Sequence, residues 1–317
     1  MTETTRVSTI ITAYNSELFI AEAISSVLKQ SRPVDEVIVV DDGSTDETAA
    51  LVAQFSDTGV RYVYQENQGA SAARNRGIKE AHGNLLTFLD ADDIWLENKN
   101  QIQVDYLSNH PQVTMVSGLK MRWNMANDTH RIFGEPSKKT VDLRRDILIY
   151  NLVGNPSMIT LRREALDQVG LFDRSIRWGQ DWELWIRIVS HFEVTILPDP
   201  VIIYRIHSKN LSKMKRREVL DSYRNISQRA IQKSQPVWLR LYLMTRSWSY
   251  FAHELALDAE DNQDSRFSQI AYSIIALTLA PWDEGWDKIN TLLRSILGKN
   301  FYNTAKRSFR YFKRARG

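Results

Sequence analysis

Short apolar runs alternate with amphipathic stretches over the first two hundred residues, and several of the runs end in acids or glycine. Val7–Ala13 is apolar and β-branched, which predicts a buried strand. Leu18–Leu28 then places Ile20, Ala21, Ile24, Val27 and Leu28 on one helical face. Val37–Val40 repeats the strand signature and stops at Asp41, Asp42 and Gly43, after which a helix opens near Thr45 with acids in its first turn. Val60–Tyr64 reads as a third strand, Ser71–His82 as the next helix and Leu85–Leu89 as a strand that runs straight into Asp90, Ala91, Asp92 and Asp93. Val113–Ser117, Ile159–Leu161 and Val194–Leu197 supply further strands, and the polar stretch from Asn124 to Lys139 reads as loop. Strands alternating with helices argue for an α/β fold with a mostly parallel, Rossmann-like sheet and right-handed crossovers.

Beyond about Ser212 the pattern turns wholly helical, and Trp238, Leu241, Tyr242, Thr245 and Trp248 are spaced for a packed face. This predicts a first domain over 1–212 and a helical C-terminal region over 213–317. With 317 residues, 43% of them hydrophobic and 25% charged, the chain has the composition of an ordinary globular protein. The absence of cysteine excludes disulfides and thiolate metal sites and fits a reducing compartment. The first residues lack a basic segment followed by a long apolar core, so a cytoplasmic location is expected, at the inner face of the membrane if the chain binds lipid. The longest apolar stretch, near Ile270–Trp282, is too short and too polar to span a bilayer.

The chemistry concentrates where strands end. Three acids within four residues repel one another unless a cation or several donors neutralise them, so Asp90, Asp92 and Asp93 call for a divalent metal, Mn²⁺ or Mg²⁺. In open α/β sheets ligands bind outside the carboxyl ends of the strands, which is where these acids fall. Neither Gly-x-Gly-x-x-Gly nor a phosphate-loop lysine is present, which disfavours a dehydrogenase or a P-loop enzyme.

Taken in order, TAYN at Thr12–Asn15, DDGSTDET at Asp41–Thr48, NQGASAARNRG at Asn67–Gly77, LDADD at Leu89–Asp93 and GQDWELWIRI at Gly179–Ile188 resemble the family-2 inverting glycosyltransferases of the GT-A fold. The resemblance covers about the first two thirds of the chain. It implies a nucleotide site built from Thr12, Ala13, Tyr14 and Asn15, with Asp42, or Asp41, accepting the imide N–H of uracil. Gly69, Arg74 and Asn75 match the segment under the ribose and diphosphate. Asp90, Ala91, Asp92 and Asp93 match the DXD-type element, in which one acid binds ribose and another the metal; Asp92 with Asp90 or Asp93 is the favoured pair. Asp181 matches the general base that takes the acceptor hydroxyl's proton. Gln180 stands where relatives commonly have Glu, so one supporting charge is missing and a slightly more acidic base is expected. His207, in YRIHSKNLS, resembles the late histidine that completes the metal or diphosphate site.

Trp178, Gln180, Trp182 and Glu183 are acceptor candidates, with Trp178 the aromatic face best placed to stack on a sugar. The resemblance implies a nucleotide-sugar donor, UDP-linked, and a glycan or lipid-linked glycan acceptor. The Gln-x-x-Arg-Trp motif of processive synthases is missing, so a single transfer is implied. The tail interleaves Lys306, Arg307, Arg310, Lys313, Arg314 and Arg316 with aromatics, a pattern suited to peripheral contact with an anionic membrane rather than to nucleic acid. A nucleotidyltransferase of similar fold and a non-catalytic sugar-nucleotide binding module are the alternatives. The first lacks its Gly-rich basic loop in TAYNSE, and Asp92 with Asp181 argues against the second.

Overall fold

The computed structural model describes residues 5–133, 143–207, 215–234, 236–261, 266–279 and 285–297. The basic tail and Ser208–Asn210 lie outside them, and with them the proposed membrane contact. The chain divides into two compact units near residue 210, with Leu148–Tyr150 belonging to the second.

The first unit is built on a nine-stranded sheet of β1 (Val7–Ala13), β2 (Glu36–Asp41), β3 (Val60–Tyr64), β4 (Leu85–Asp90), β5 (Asp93–Trp95), β6 (Val113–Asn124), β7 (Thr129–Phe133), β8 (Thr160–Arg162) and β9 (Glu193–Ile206). Its order is β3-β2-β1-β4-β8-β6-β9-β5, with β7 paired to β6. The strands β3, β2, β1 and β4 are parallel, and α1 (Ile20–Leu28), α2 (Thr48–Ala53) and α3 (Ala70–Glu80) connect them. Beyond β4 the sheet is mixed: β8 runs antiparallel to both β4 and β6, and β9 returns parallel to β6. Ile10, Ile11, Ile38, Val39, Phe88 and Leu89 are sealed inside. Each such side chain contributes about 1.5–3 kcal/mol by leaving water, and together they hold β1, β2 and β4 in register.

That register decides where the chemistry falls. β1 lies between β2 and β4, with Thr12 opposite both Val40 and Asp90 and Ala13 opposite Asp41. The strand order reverses direction here, and the carboxyl ends of the three strands open a crevice of the kind in which α/β sheets bind ligands. Further along the chain α4 (Lys99–Asn109), α5 (Leu143–Asp146), α6 (Arg163–Val169) and α7 (Gln180–His191) complete the first unit.

The stretch expected as loop from Asn124 is in part a hairpin. β6 continues to Asn124, and β7 pairs with it from Lys120↔Phe133 to Asn124↔Thr129. Every residue of β7 is exposed, so no buried face imposes the apolar alternation by which a strand is recognised in sequence.

The second unit comprises α8 (Arg216–Ser234), α9 (Val237–Asp261), α10 (Arg266–Leu279) and α11 (Gly285–Leu297). Here the expected packed face of α9 is corrected. Trp238 is 71% and Leu241 64% exposed, and Tyr242, Thr245 and Trp248 are exposed as well. The helix instead buries Leu243, Ser247 and Phe251, four residues apart on another face. Ser227 Oγ reaches Ser247 Oγ at 2.8 Å, so small hydroxyls allow a close approach of α8 and α9. Among the described residues no helix is long and apolar enough to cross a membrane.

Candidate active site

Two acid-tipped strands deliver carboxylates to the crevice, and their fates differ. Asp41 is buried at the end of β2, where its Oδ1 accepts the Ser44 N–H at 2.8 Å and its Oδ2 accepts the Tyr62 hydroxyl at 2.7 Å. Both oxygens hold the turn and the side chain is almost wholly enclosed, so Asp41 braces the end of β2 beside Asp42. Asp42 Oδ1 takes Gln65 Nε2 at 2.7 Å and the Gln68 N–H at 2.9 Å, while Oδ2 takes the Gly69 N–H at 2.8 Å. An ionised carboxylate offers about four acceptor positions. Asp42 therefore ties the β3–α3 loop to β2 and keeps capacity for one further donor. Gly69 can present its N–H this way because it sits at φ +88°, a backbone that L side chains rarely adopt.

Asn15 bridges the neighbouring loops, its N–H donating to Ser44 Oγ at 2.9 Å and its Oδ1 accepting the Thr45 N–H at 2.9 Å. It also sits at positive φ, +47°, which Asn tolerates better than most residues. Thr12 is half-buried, Ala13 buried and Tyr14 exposed at the rim.

At the end of β4 the three acids diverge. Asp90 Oδ1 receives Arg74 Nη2 at 2.6 Å, and Thr12 Oγ1 lies 3.4 Å from the same oxygen. The Ala91 N–H continues the ladder to Thr12 O at 3.2 Å, so Ala91 is a backbone spacer that turns the chain. Asp93 starts β5, buried, with Oδ2 accepting Asn155 Nδ2 at 2.9 Å. Burial, and then the charges of Asp92 and Asp90, hold its carboxyl well above the ordinary range. Asp92 is the most exposed of the three and lies 3.3 Å from His207 Nε2, whose ring lies against Phe19 with centroids 4.6 Å apart.

As a candidate metal site this arrangement separates the three acids. Asp90 gives Oδ1 to Arg74, and Asp93 gives Oδ2 to Asn155 while its buried Oδ1 has no hydrogen-bond partner among the described residues, because alternate residues around a tight turn point in different directions. Among the described residues no group of three or more His, Asp or Glu gathers around one point. The pair Asp92 and His207 still fits a hard divalent cation that takes its remaining positions from waters and a substrate diphosphate, as Mg²⁺ and Mn²⁺ commonly do.

Arg74 is the cation nearest the acids. It is buried, lies 5.6 Å from the centre of the Phe172 ring, and its Nε and Nη1 find no hydrogen-bond acceptor among the described residues. A guanidinium held in this state is poised for an anion. Asn75, one residue on, is different: its amide exchanges two hydrogen bonds with the Phe172 backbone, at 2.8 and 3.0 Å. It is a structural clasp, which corrects its assignment to the diphosphate.

Asp181 occupies the first turn of α7, after Gly179 at φ +79°. Its Oδ2 lies 3.3 Å from Asn151 Nδ2, and its charge is felt by Arg74, Asp90 and Lys120. Burial is the largest influence and raises its pKa above the usual carboxylate range; the backbone N–H of Trp182 and Arg74 pull the other way. The acidic shift expected from Gln180 is thus outweighed by desolvation.

Four sequence candidates around Asp181 are resolved differently. Trp182 is fully buried and donates from Nε1 to Ile147 O at 2.6 Å, so it is core. Glu183 pairs with Arg187 at 2.7 Å, and Arg187 in turn caps the carbonyls of Val169, Gly170 and Leu171, a structural clamp. Trp178 and Gln180 remain partly exposed at the helix start, with Arg177 5.5 Å from the Trp178 ring centre. Sequence reasoning missed Lys120, Asn151, Asn155 and Ser157, the last of which accepts the Asp90 N–H at its Oγ, at 3.0 Å. None belongs to a recognisable motif, and only the crossing of β6 and the loop before β8 brings them here.

Comparison with known proteins identifies the frame. Residues 8–170 match the model of glycosyl transferase family 2. The beta-1,3-glucosyltransferase WfgD of Escherichia coli, named for UDP-Glc and alpha-D-GlcNAc-diphosphoundecaprenol, is 30% identical over 67% of this chain and 82% of its own length. The uncharacterized glycosyltransferase RP339 of Rickettsia prowazekii is 29% identical, and the match spans 64% of each protein, just under two thirds of the relative's length. Among solved structures, S. aureus TarS 1-349 in complex with UDP-GlcNAc superposes with a TM-score of 0.64 at 17% identity, over 92% of this chain and 90% of that one. The mannosyltransferase PcManGT from Pyrobaculum calidifontis, in complex with GDP-Man and Mn²⁺, gives 0.60 at 20% identity over 93% and 88%. These likenesses show a shared GT-A fold.

Proposed function

The chain belongs to glycosyl transferase family 2, and from that premise we propose that it moves one sugar, with inversion, from a UDP-linked donor to a hydroxyl of a glycan or lipid-linked glycan. The observation that carries this reading is Asp181, a carboxylate of raised proton affinity held in electrostatic reach of the Arg74–Asp90 pair. A base buried in this way binds a proton more tightly than a free carboxylate and so suits removal of a hydroxyl proton. The region that acts is residues 1–212.

In this reading Asp42 accepts the uracil imide and Thr12, Ala13, Tyr14 and Asn15 line the base and ribose. Asp90, steered by Arg74, takes the ribose hydroxyls, and the unsatisfied edge of Arg74 meets the diphosphate. Asp92 and His207 would hold Mn²⁺ or Mg²⁺, which when bound supplies Lewis-acid neutralisation of the departing diphosphate. The acceptor oxygen gives its proton to a carboxylate oxygen of Asp181 and attacks the anomeric carbon on the face opposite the leaving group, so the C–O bond forms as the bond to the nucleoside diphosphate breaks. Trp178 and Gln180 flank the acceptor. WfgD, named for a diphosphate-linked lipid acceptor, supports the lipid-linked choice, and an acceptor of that kind would be met at a membrane surface.

The direct test is a panel of nucleotide sugars incubated with Mn²⁺ or Mg²⁺, read by release of nucleoside diphosphate. UDP sugars should be turned over and GDP sugars ignored. Turnover of no nucleotide sugar with either ion, despite UDP binding, would leave the chain a binding module.

A further inference from the structure

The register of the outer strands creates a feature that no motif announces. Asp93 on β5 pairs with Tyr204 on β9, Tyr204 pairs with Arg122 on β6, and Arg122 pairs with Arg131 on β7. Cross-strand partners point to the same face, so the four residues form one lateral row. Neighbouring strands lie about 4.8 Å apart, and the row therefore runs ~14 Å from the acid cluster outward. The next row repeats the sign: Lys120, two residues before Arg122 on the same face of β6, sets its Nζ 5.2 Å from the Tyr204 ring centre and senses both Asp93 and Asp181.

Three cations on adjacent positions of two strands repel one another, and like charges directly opposite destabilise a strand pair. Among the described residues no carboxylate lies within ion-pair distance of Lys120, Arg122 or Arg131, nor does Arg122 Nε have a hydrogen-bond acceptor. Arg122 is instead braced by the Phe133 ring, 4.3 Å from its guanidinium carbon. Flat aromatic support fixes a guanidinium while leaving its N–H edge available to a planar or tetrahedral oxyanion.

We propose that Lys120, Arg122 and Arg131 form an anion-binding strip that leads from Asp181 along the β6–β7 hairpin and receives a phosphate or carboxylate carried by the acceptor. The inference rests on the transfer reading above and deepens it: the acceptor is an anionic molecule, with its charge one to two strand spacings from the hydroxyl that is glycosylated. A diphosphate joining the acceptor sugar to a lipid and a uronic acid within a glycan share this chemistry.

The experiment uses the full chain and three probes whose binding is measured by calorimetry in the presence of UDP and Mn²⁺: an alkyl diphosphate-linked N-acetylglucosamine, an alkyl glucuronide and the neutral alkyl glycoside of N-acetylglucosamine. At least one anionic probe should bind about tenfold or more tightly than the neutral one. Arg122→Gln with Arg131→Gln should remove that preference, and raised salt should weaken it. Arg131 is exposed on β7, so Arg131→Glu alone tests the strip without disturbing the core and should invert the preference. Which anionic probe is preferred identifies the source of the charge. Equal binding of all three probes by the UDP-bound protein, or a preference untouched by the Arg131 and Arg122 changes, overturns the strip while the donor reading stands. A protein that binds no UDP overturns the donor reading and the strip with it.

Discussion

The ends of β2 and β4 look alike in sequence, each an apolar run closing in acids, yet one end is largely saturated by the protein, with one position left on Asp42 for a donor from the ligand, and the other is more open. At β2, Asp41 and Asp42 accept five hydrogen bonds between them from Ser44, Tyr62, Gln65, Gln68 and Gly69, all supplied by the protein. At β4, Asp90 is paired with a guanidinium that has spare donors, Asp93 is buried with one oxygen on Asn155, and Asp92 lies beside His207. A carboxylate becomes structural when backbone and side-chain donors converge on it, and it stays available for chemistry when they do not. The surrounding donors decide the role, and the acids themselves do not.

The largest effect that sharpens this contrast lies beyond both strand ends. Asp181→Asn removes the base while keeping its shape, and kcat should fall about 10²–10⁴-fold while UDP binding stays near that of the unchanged protein. Normal transfer by that variant would overturn the base assignment. Next, Asp92→Ala at the open end should weaken the Mn²⁺-dependent part of UDP binding by about tenfold or more, a change calorimetry with and without the ion resolves. The same comparison made at the saturated end should show no ion dependence.

Tyr62→Phe probes the saturated end through stability. Deleting the hydroxyl leaves Asp41 Oδ2 buried with one donor fewer, at a cost of about 1–3 kcal/mol. Thermal melting should register that loss, with UDP affinity per folded molecule unchanged; an altered affinity with unchanged melting would mean that Asp41 touches ligand after all. The smallest expected effect concerns pH. The raised pKa of Asp181 puts the acid limb of kcat/KM above the ordinary carboxylate value of about 3.9, because transfer needs the ionised base. For stability the sign is opposite to that of a salt-bridged acid. The folded state holds the Asp181 proton more tightly than the unfolded one, so the ionised residue destabilises the fold above its folded pKa. Asp181→Asn should therefore raise the melting temperature at neutral pH, and the gain should vanish as pH falls below the unfolded value.

Much of the parallel half of the sheet was legible because β1, β2 and β4 are buried on both faces and so read as unbroken apolar runs. The hairpin of β6 and β7 was not, since an exposed strand has no period to display. The stripe on α9 shows the converse error: helical spacing reveals that a face is apolar, while what covers it depends on neighbours, and Leu243, Ser247 and Phe251 are the residues buried. In the site, Asp181 and Asp92 stood out because each sits in an ordered set of motifs. Lys120 and Arg122 belong to none, and they come beside the acids through strand pairing across more than eighty residues of chain.

By itself the sequence determined the buried parallel strands and the helices between them, the family to which the chain belongs, and the acids that end its strands. Those are properties of local periodicity and of short motifs. Only the tertiary structure decided which of those acids are spent on protein donors, that burial lifts the proton affinity of Asp181, and that Arg122 and Arg131 lie in one row with Tyr204 and Asp93. Solvation and hydrogen-bond supply depend on residues distant in the chain, and no local pattern encodes them.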